Sequence, residues 1–331
     1  MTDGRARRRR GRTRAMTLAI VSAAAFAYIA FLRPVEGLDT IARKPGDLPF
    51  ARPAANAYGK SGGVKMQFAL PGDLVTYPIE VNGDPSLLRY VWVPLRHGTA
   101  TEPRSLAEPM VAPPVPGFYK LAVLGDSGRR IFNDLPLAVM VPMTEKDGAS
   151  INGYRIGYYR GERSRRSDVG PAGFVQVAEE DLEVQVSDHL RLGDFLTHDG
   201  QTTWPRYAAL DPRLLDKLEL IFDEIASWHG GAARSAIAVD VHSGFRTPFH
   251  NRHVARSAGD SRHQYGDAAD IAIDADQNGR VNSADTRLVG LAVEIVEREH
   301  PDLVGGLGLY TRNGAPYVHV DSRGSRVRWR G

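Results

Sequence analysis

Apolar residues recur along this chain with two different periods. From Val64 to Val141 they come in short runs, Val64–Leu70, Leu74–Val81, Leu87–Leu95, Phe118–Leu124 and Leu135–Val141. Turn formers separate them: Pro71-Gly72-Asp73, Asn82-Gly83-Asp84 and Gly125-Asp126-Ser127-Gly128. Short runs punctuated in this way predict strands and a small all-β, sandwich-like domain over residues 63–145. After residue 180 the pattern becomes α+β. Asp211-Pro212 offers a capping side chain followed by proline at the first helical position. Leu214, Leu215, Leu218, Ile221, Phe222 and Ile225 then form a stripe at helical spacing, closed by Gly230-Gly231. Ala236–Val241 reads as a short buried strand. Thr247 is placed to cap a second helix, and Leu288, Leu291, Ala292 and Ile295 mark a third. Val304–Tyr310 and Tyr317–Asp321 read as closing strands joined by an Asn313-Gly314 turn.

The longest apolar run lies near the start. Met16–Leu32 carries no charge and ends at Arg33-Pro34. As a helix its 17 residues rise about 25 Å, a little short of a hydrocarbon core of about 30 Å. Seven arginines and Asp3 precede it, so residues 1–15 carry +7 − 1 = +6. The positive-inside rule puts that tail in the cytoplasm and the body outside. No good cleavage site follows, which favours an uncleaved anchor over a cleaved signal, with a secreted form as the alternative. The organisation expected is a basic cytoplasmic tail (1–15), a transmembrane anchor (16–32), a Pro/Gly/Ala-rich linker (33–62), the β-domain (63–145), a connecting segment (146–184) and an α+β domain (185–331). In the connecting segment, the GYRIGYY and GFVQVAE stretches read as strands around the basic loop Arg160–Arg166, a solvated turn. Pro116–Leu121 resembles the late strand of immunoglobulin-like modules.

Composition narrows the chemistry. The chain has 331 residues and no cysteine, which excludes disulfide scaffolds, thiolate metal sites and cysteine nucleophiles. Any metal must be held by His, Asp or Glu. The net charge is +3, so outside the tail the chain sums to +3 − 6 = −3. That balance gives no basic folded face, and no nucleic-acid partner is expected.

Three polar residues stand in otherwise apolar surroundings near the C-terminus. His263 lies in the loop Ser261–Asp267, Asp270 enters the apolar strand Ile271-Ala272-Ile273, and His319 sits among Tyr317, Val318 and Val320. A carboxylate at the start of such a strand needs a partner or a metal to offset its desolvation. Two imidazoles and one carboxylate make a three-ligand zinc set with a fourth position open to water. Spacing alone leaves open that they are unrelated polar residues near turns.

At these residues the chain resembles a known family. His-x-x-Gly-x-Ala-x-Asp (263–270), a late His-Val-Asp (319–321), Ser-Gly-Phe-Arg-Thr-Pro (243–248) and Gly-Gly-x-Gly-x-Tyr (305–310) are similar to the zinc D-alanyl-D-alanine carboxypeptidase superfamily, whose fold is shared by the Hedgehog signalling domain. The resemblance covers about residues 185–331. It implies an α+β peptidase domain, a zinc site of His263, Asp270 and His319, and peptidoglycan stem peptides containing D-amino acids as substrates. It further implies that Arg246 binds a substrate carboxylate or polarises the carbonyl. Better-known members carry an acid a few residues before the last histidine, and Asn313–Val318 has none. Asp321, on the same strand face as His319, is then either the general base or a residue that orients a ligand.

Directly after Asp270 comes a second constellation. Asp274, Asp276, Asn278, Arg280 (through its carbonyl), Asn282 and Asp285 occupy the ligand positions of a twelve-residue calcium loop, with Gly279 at the turn. It resembles EF-hand and dockerin loops, although a strand rather than a helix precedes it. A hydrophilic turn with a helix cap is the alternative. Three functions follow as expectations: a membrane-anchored extracytoplasmic zinc peptidase, a non-catalytic zinc-containing wall-binding module, or a calcium-dependent interaction protein.

Overall fold

In the computed structural model, the structure describes residues 49–54, 58–126, 128–164, 169–230, 237–311 and 316–331. The tail, the apolar run Met16–Leu32 and the Asn313-Gly314 turn lie outside the described residues. Among the described residues, no helix is long and apolar enough to cross a membrane.

The first part is mostly strand: β1 (Phe50–Pro53), β2 (Gln67–Ala69), β3 (Ile79–Asn82), β4 (Arg89–Pro94), β5 (Arg104–Ser105), β6 (Gly117–Gly125) and β7 (Gly128–Val139). The short apolar runs predict β2, β3, β4, β6 and β7, whereas β1 lies in the segment expected to be a linker and β5 matches no run. Their sheet has the order β2-β7-β6-β4-β5, and β1 and β3 pair as a separate ribbon. The pairs are antiparallel except β2 with β7, which is parallel. Tyr77, Tyr90, Trp92, Phe132 and Leu137 fill the core beneath this sheet. Its polar atoms are satisfied: Trp92 Nε1 donates to the Val111 carbonyl at 2.8 Å, and the Tyr77 hydroxyl to that of Leu135 at 2.6 Å. Two expectations shift. The arm expected from Leu135 begins at Gly128, because Arg129 to Ile131 face solvent and show no apolar run. The segment from Leu74 becomes a strand only at Ile79, and Leu74 itself is 73% exposed.

The middle of the chain contributes β8 (Val141–Pro142), the small hairpin β9 (Ser150–Ile151) with β10 (Tyr154–Arg155), β11 (Gly173–Val177) and β12 (Arg206–Ala208). GYRIGYY therefore extends for two residues only, whereas GFVQVAE supplies β11, the centre of the sheet β12-β11-β8. Residues 49–331 pack as one unit. One cluster of buried residues runs from Val64 through Phe174 and Phe222 to Val320. A second cluster, from Ala51 to Val139, fills the β-region separately.

The C-terminal part holds a sheet of β13 (Val239–Ser243), β14 (Ala268–Ile273), β15 (Gly306–Tyr310), β16 (Tyr317–Asp321) and β17 (Val327–Arg330), in the order β13-β14-β16-β15-β17. Three helices accompany it: α1 (Pro212–Trp228), α2 (Pro248–Asn251) and α3 (Ser283–Glu299). Side chains alternate between the two faces of a strand. Ile271, Val318, Val320 and Leu307 go to one face, where they join Leu214, Leu218, Ile221, Val289 and Val293 in the core. Asp270, His319 and Tyr317 are left on the other face.

The α1 prediction holds in detail. Asp211 accepts from the Arg213 amide at 2.8 Å, and all six stripe residues are buried. Thr247 caps α2, which is a single turn. The α3 stripe is shifted: Val289, Ala292, Val293 and Val296 are buried, while Leu291 is 51% exposed. The strand expected over Ala236–Val241 lies at Val239–Ser243, on the sheet edge, with only Val241 buried. Strand β17, unforeseen in the sequence, adds parallel to β15.

Candidate metal centre

Each member of the His-Asp-His set is presented by a different local device. His263 stands on the 3-10 turn Arg262–Tyr265, which Gly266 ends in the left-handed region at φ 74°. A Cβ on Gly266 would lie 2.3 Å from the Ala209 backbone, so the reversal needs glycine. Asp270 and His319 are direct cross-strand partners of β14 and β16. The row continues through Gly308 on β15 to Trp329 on β17.

The glycines of the Gly-Gly-x-Gly motif make room for this row. A Cβ on Gly306 would fall 2.2 Å from an Asp321 carboxylate oxygen, and one on Gly308 would fall 2.4 Å from the Trp329 indole. The indole lies over His319, with ring centres 5.0 Å apart, and Nε1 donates to the Tyr310 hydroxyl at 2.9 Å. No run or motif around Trp329 announces this contact, because it depends on β17 pairing with β15.

Hydrogen bonds fix the tautomers. The Gly244 carbonyl can only accept, so the proton it receives at 2.7 Å is on His263 Nδ1, and Nε2 presents a lone pair. Asp321 Oδ2 accepts from His319 Nε2 at 3.2 Å, so the neutral ring carries its lone pair on Nδ1, while a protonated ring donates from Nδ1 to Asp270. These two lone pairs converge with Asp270 Oδ1. His263 Nε2 is 3.1 Å from His319 Nδ1 and 3.2 Å from Asp270 Oδ1, and His319 Nδ1 is 2.8 Å from that oxygen. Three buried electron-pair donors pointing at one another repel unless a cation lies between them. Ligands about 2.0–2.1 Å from a tetrahedral zinc are about 3.3 Å apart, close to the spacing found here. The donor set therefore fits zinc.

Burial opposes charge on Asp270, but its contacts with His263 and His319 prevail and hold its carboxyl well below the usual range. Burial pulls His263 down. Burial pulls on His319 as well, yet hydrogen bonds to Asp270 and Asp321 outweigh it and leave the imidazole raised in the metal-free site. The neighbouring Tyr317 is pushed up to about 12, by burial first and then by the Asp270 charge.

The other expected site residues are placed differently from one another. Arg246 binds Asp270 Oδ2 through one guanidinium nitrogen, and its Nε donates to Ser243 Oγ at 2.7 Å. It braces a ligand. Asp321 is fully buried behind His319, on the ring nitrogen away from the convergent donors. It also accepts from the Gly306 amide at 2.7 Å and from Arg323. Of the two roles open to Asp321 in the sequence, this position matches the orienting one. Beneath it, Lys217 donates to the Asp321 carbonyl and to Glu297, both at 2.7 Å. Lys217, Glu297 and Arg323 were not foreseen. The one signal was a lysine inside the apolar stripe of α1.

In the loop 274–285, carboxylate oxygens of Asp274, Asp276 and Asp285 lie within 4.8 Å of one another. The remaining groups have other duties. Asn282 caps α3 through the Ala284 amide at 2.7 Å, Asn278 Oδ1 accepts from the Arg280 amide at 3.0 Å, and Asp285 accepts from the Ala275 and Asn282 amides. The turn and cap alternative thus accounts for most of the loop.

A family model described as Peptidoglycan L,D-endopeptidase MepK, of the group Peptidase_M15_2, matches residues 194–329, less than half of the chain. No curated protein and no solved structure matches. The matched segment contains all three convergent donors, Arg246, Asp321 and Trp329. Residues 194–329 are thus similar to the M15 superfamily of zinc peptidases.

Proposed function

We propose that the protein is a zinc endopeptidase of peptidoglycan, cutting stem-peptide bonds that involve a D-amino acid. The observation that carries this reading is the convergence of three tautomer-fixed donors within a segment matched by an endopeptidase family model. Zinc bound by His263, Asp270 and His319 would supply Lewis acidity and an activated water. The chain's own residues orient the ligands: Arg246 fixes Asp270, and Asp321 fixes His319. Internal cleavage is favoured over carboxypeptidase action because the matching family model describes an endopeptidase, and because two of the three Arg246 guanidinium nitrogens already hold Asp270 and Ser243. The charge pattern of residues 1–32 supports a membrane-anchored, extracytoplasmic enzyme, with a cleaved secreted form as the alternative.

The test is digestion of purified peptidoglycan by the zinc-loaded full chain, with mass analysis of the fragments. New amino and carboxyl termini within the cross-linked peptides are expected. Tight wall binding without fragments would select the non-catalytic wall-binding module instead. Calcium binding at loop 274–285 is a separate reading, favoured by the three converging carboxylates and opposed by the hydrogen bonds that already engage Asp285 and Asn282.

A further inference from the structure

Peptide hydrolysis needs a proton acceptor, and the carboxylates of the metal centre are engaged elsewhere. Asp270 is a ligand held by Arg246, and Asp321 stands behind His319. The open flank of the site can be located from the strands. His263 comes from the turn leading into β14 at Ala268, so it flanks the Asp270–His319 row at that end. The opposite flank is the next step along the same face, Ala272 on β14 and Tyr317 on β16. A methyl group makes the floor low there.

Strand β13 supplies the far wall through an irregularity. Val241 pairs with Ile271 and Ser243 with Asp270, so two steps on β13 match one on β14, and His242 is the surplus residue. Bulges re-aim side chains in this way. β13 and β16 are not neighbours, because β14 runs between them. Yet the rings of His242 and Tyr317 lie 5.6 Å apart. Adjacent strands are about 4.8 Å apart, so these side chains must lean towards each other over β14, beside Asp270. Tyr317 is clamped by Tyr310, stacked at 4.4 Å and 11°. His242 Nε2 is 3.2 Å from Asp240 Oδ2, and its side chain is 27% exposed, within reach of substrate.

We propose that His242, oriented by Asp240, is the catalytic proton-transfer residue of the peptidase, an inference that rests on the hydrolytic reading above. Asp240 Oδ2 lies 3.2 Å from Nε2, so its charge draws a proton to that nitrogen and leaves Nδ1 as the accepting atom. As the water oxygen bonds to the peptide carbonyl carbon, one water proton passes to Nδ1. As the C–N bond breaks, His242 returns that proton to the leaving amine nitrogen. Water is added across the bond, His242 ends neutral, and no other reactant is consumed.

The test compares zinc-loaded wild type with His242→Ala and Asp240→Asn on purified peptidoglycan. His242→Ala should lower kcat about 10²- to 10⁴-fold, the range for lost acid–base catalysis, at unchanged zinc content and KM. Added imidazole should restore part of the rate, which a structural role would not predict. Asp240→Asn should have a smaller effect of the same kind. A phosphinic pseudo-dipeptide, a tetrahedral mimic, should bind His242→Ala about tenfold more weakly by calorimetry, independent of turnover. Wild-type kcat and equal phosphinate affinity in His242→Ala would overturn the inference while leaving the peptidase reading intact. A zinc-loaded wild type that releases no fragments would overturn that reading, and the inference with it.

Discussion

Asp321→Asn separates the two roles that the sequence leaves open for this residue. The substitution keeps the shape and an oxygen for the Gly306 amide, but it removes the charge facing Arg323 and His319 Nε2–H. A residue that orients a zinc-bound histidine contributes about 10- to 100-fold to metal affinity. At 1.4 kcal/mol per factor of ten, that is about 1.4–2.8 kcal/mol of zinc binding. Folding should suffer to a similar extent, although the side chain of Arg323 is 26% exposed and water can take over part of its hydrogen bonding. A loss of about 1–3 kcal/mol is expected for the changed hydrogen bonds of a buried group. The assay is zinc titration in competition with a chromophoric chelator, with circular dichroism to show that the fold persists. A 10- to 100-fold rise in zinc Kd, with turnover recovering once zinc is saturating, is the expected result. Unchanged zinc affinity together with a collapse in turnover would refute the orienting role and make Asp321 the base.

Further expectations concern the same network. His263→Ala and His319→Ala should each abolish stoichiometric zinc binding, measured by elemental analysis after dialysis, because two donors do not hold a structural or catalytic zinc. Zinc affinity should fall as pH drops from about 8 to about 6, since the proton and the metal compete for His319 Nδ1. The raised His319 pKa of the metal-free site brings that competition to higher pH than a free imidazole would show, and a pH-independent Kd would contradict it. Lys217→Met leaves Glu297 buried without one of its two cationic partners, and breaking a buried pair costs about 3–5 kcal/mol. Because Arg328 remains, the lower end of that range is expected in denaturant unfolding. If loop 274–285 takes calcium, the melting temperature should rise with calcium over chelator, and Asp274→Asn with Asp276→Asn should cancel the rise. Identical melting curves would assign the loop to its turn and cap.

What the sequence alone determines here is local. The cap at Asp211, the stripe of α1, the runs that become β4 and β6, and the three donors are legible because neighbours within a few residues enforce them. The wider spacing His263–Asp270–His319 is legible only through motif resemblance, since 56 residues separate the two imidazoles. Period-two alternation puts Asp321 on the face of His319. It does not say which ring nitrogen the carboxylate meets, because that follows from a rotamer held by Asp270 on β14 and Trp329 on β17. Leu291 shows a similar limit: the helical period is right, but the phase of the buried stripe depends on which sheet residues α3 covers. Trp329 over His319, Lys217 under Asp321 and His242 leaning across β14 appear only when strands distant in sequence come into register. A side chain's neighbours across a sheet are set by pairing and packing over the whole core, and no local preference encodes them.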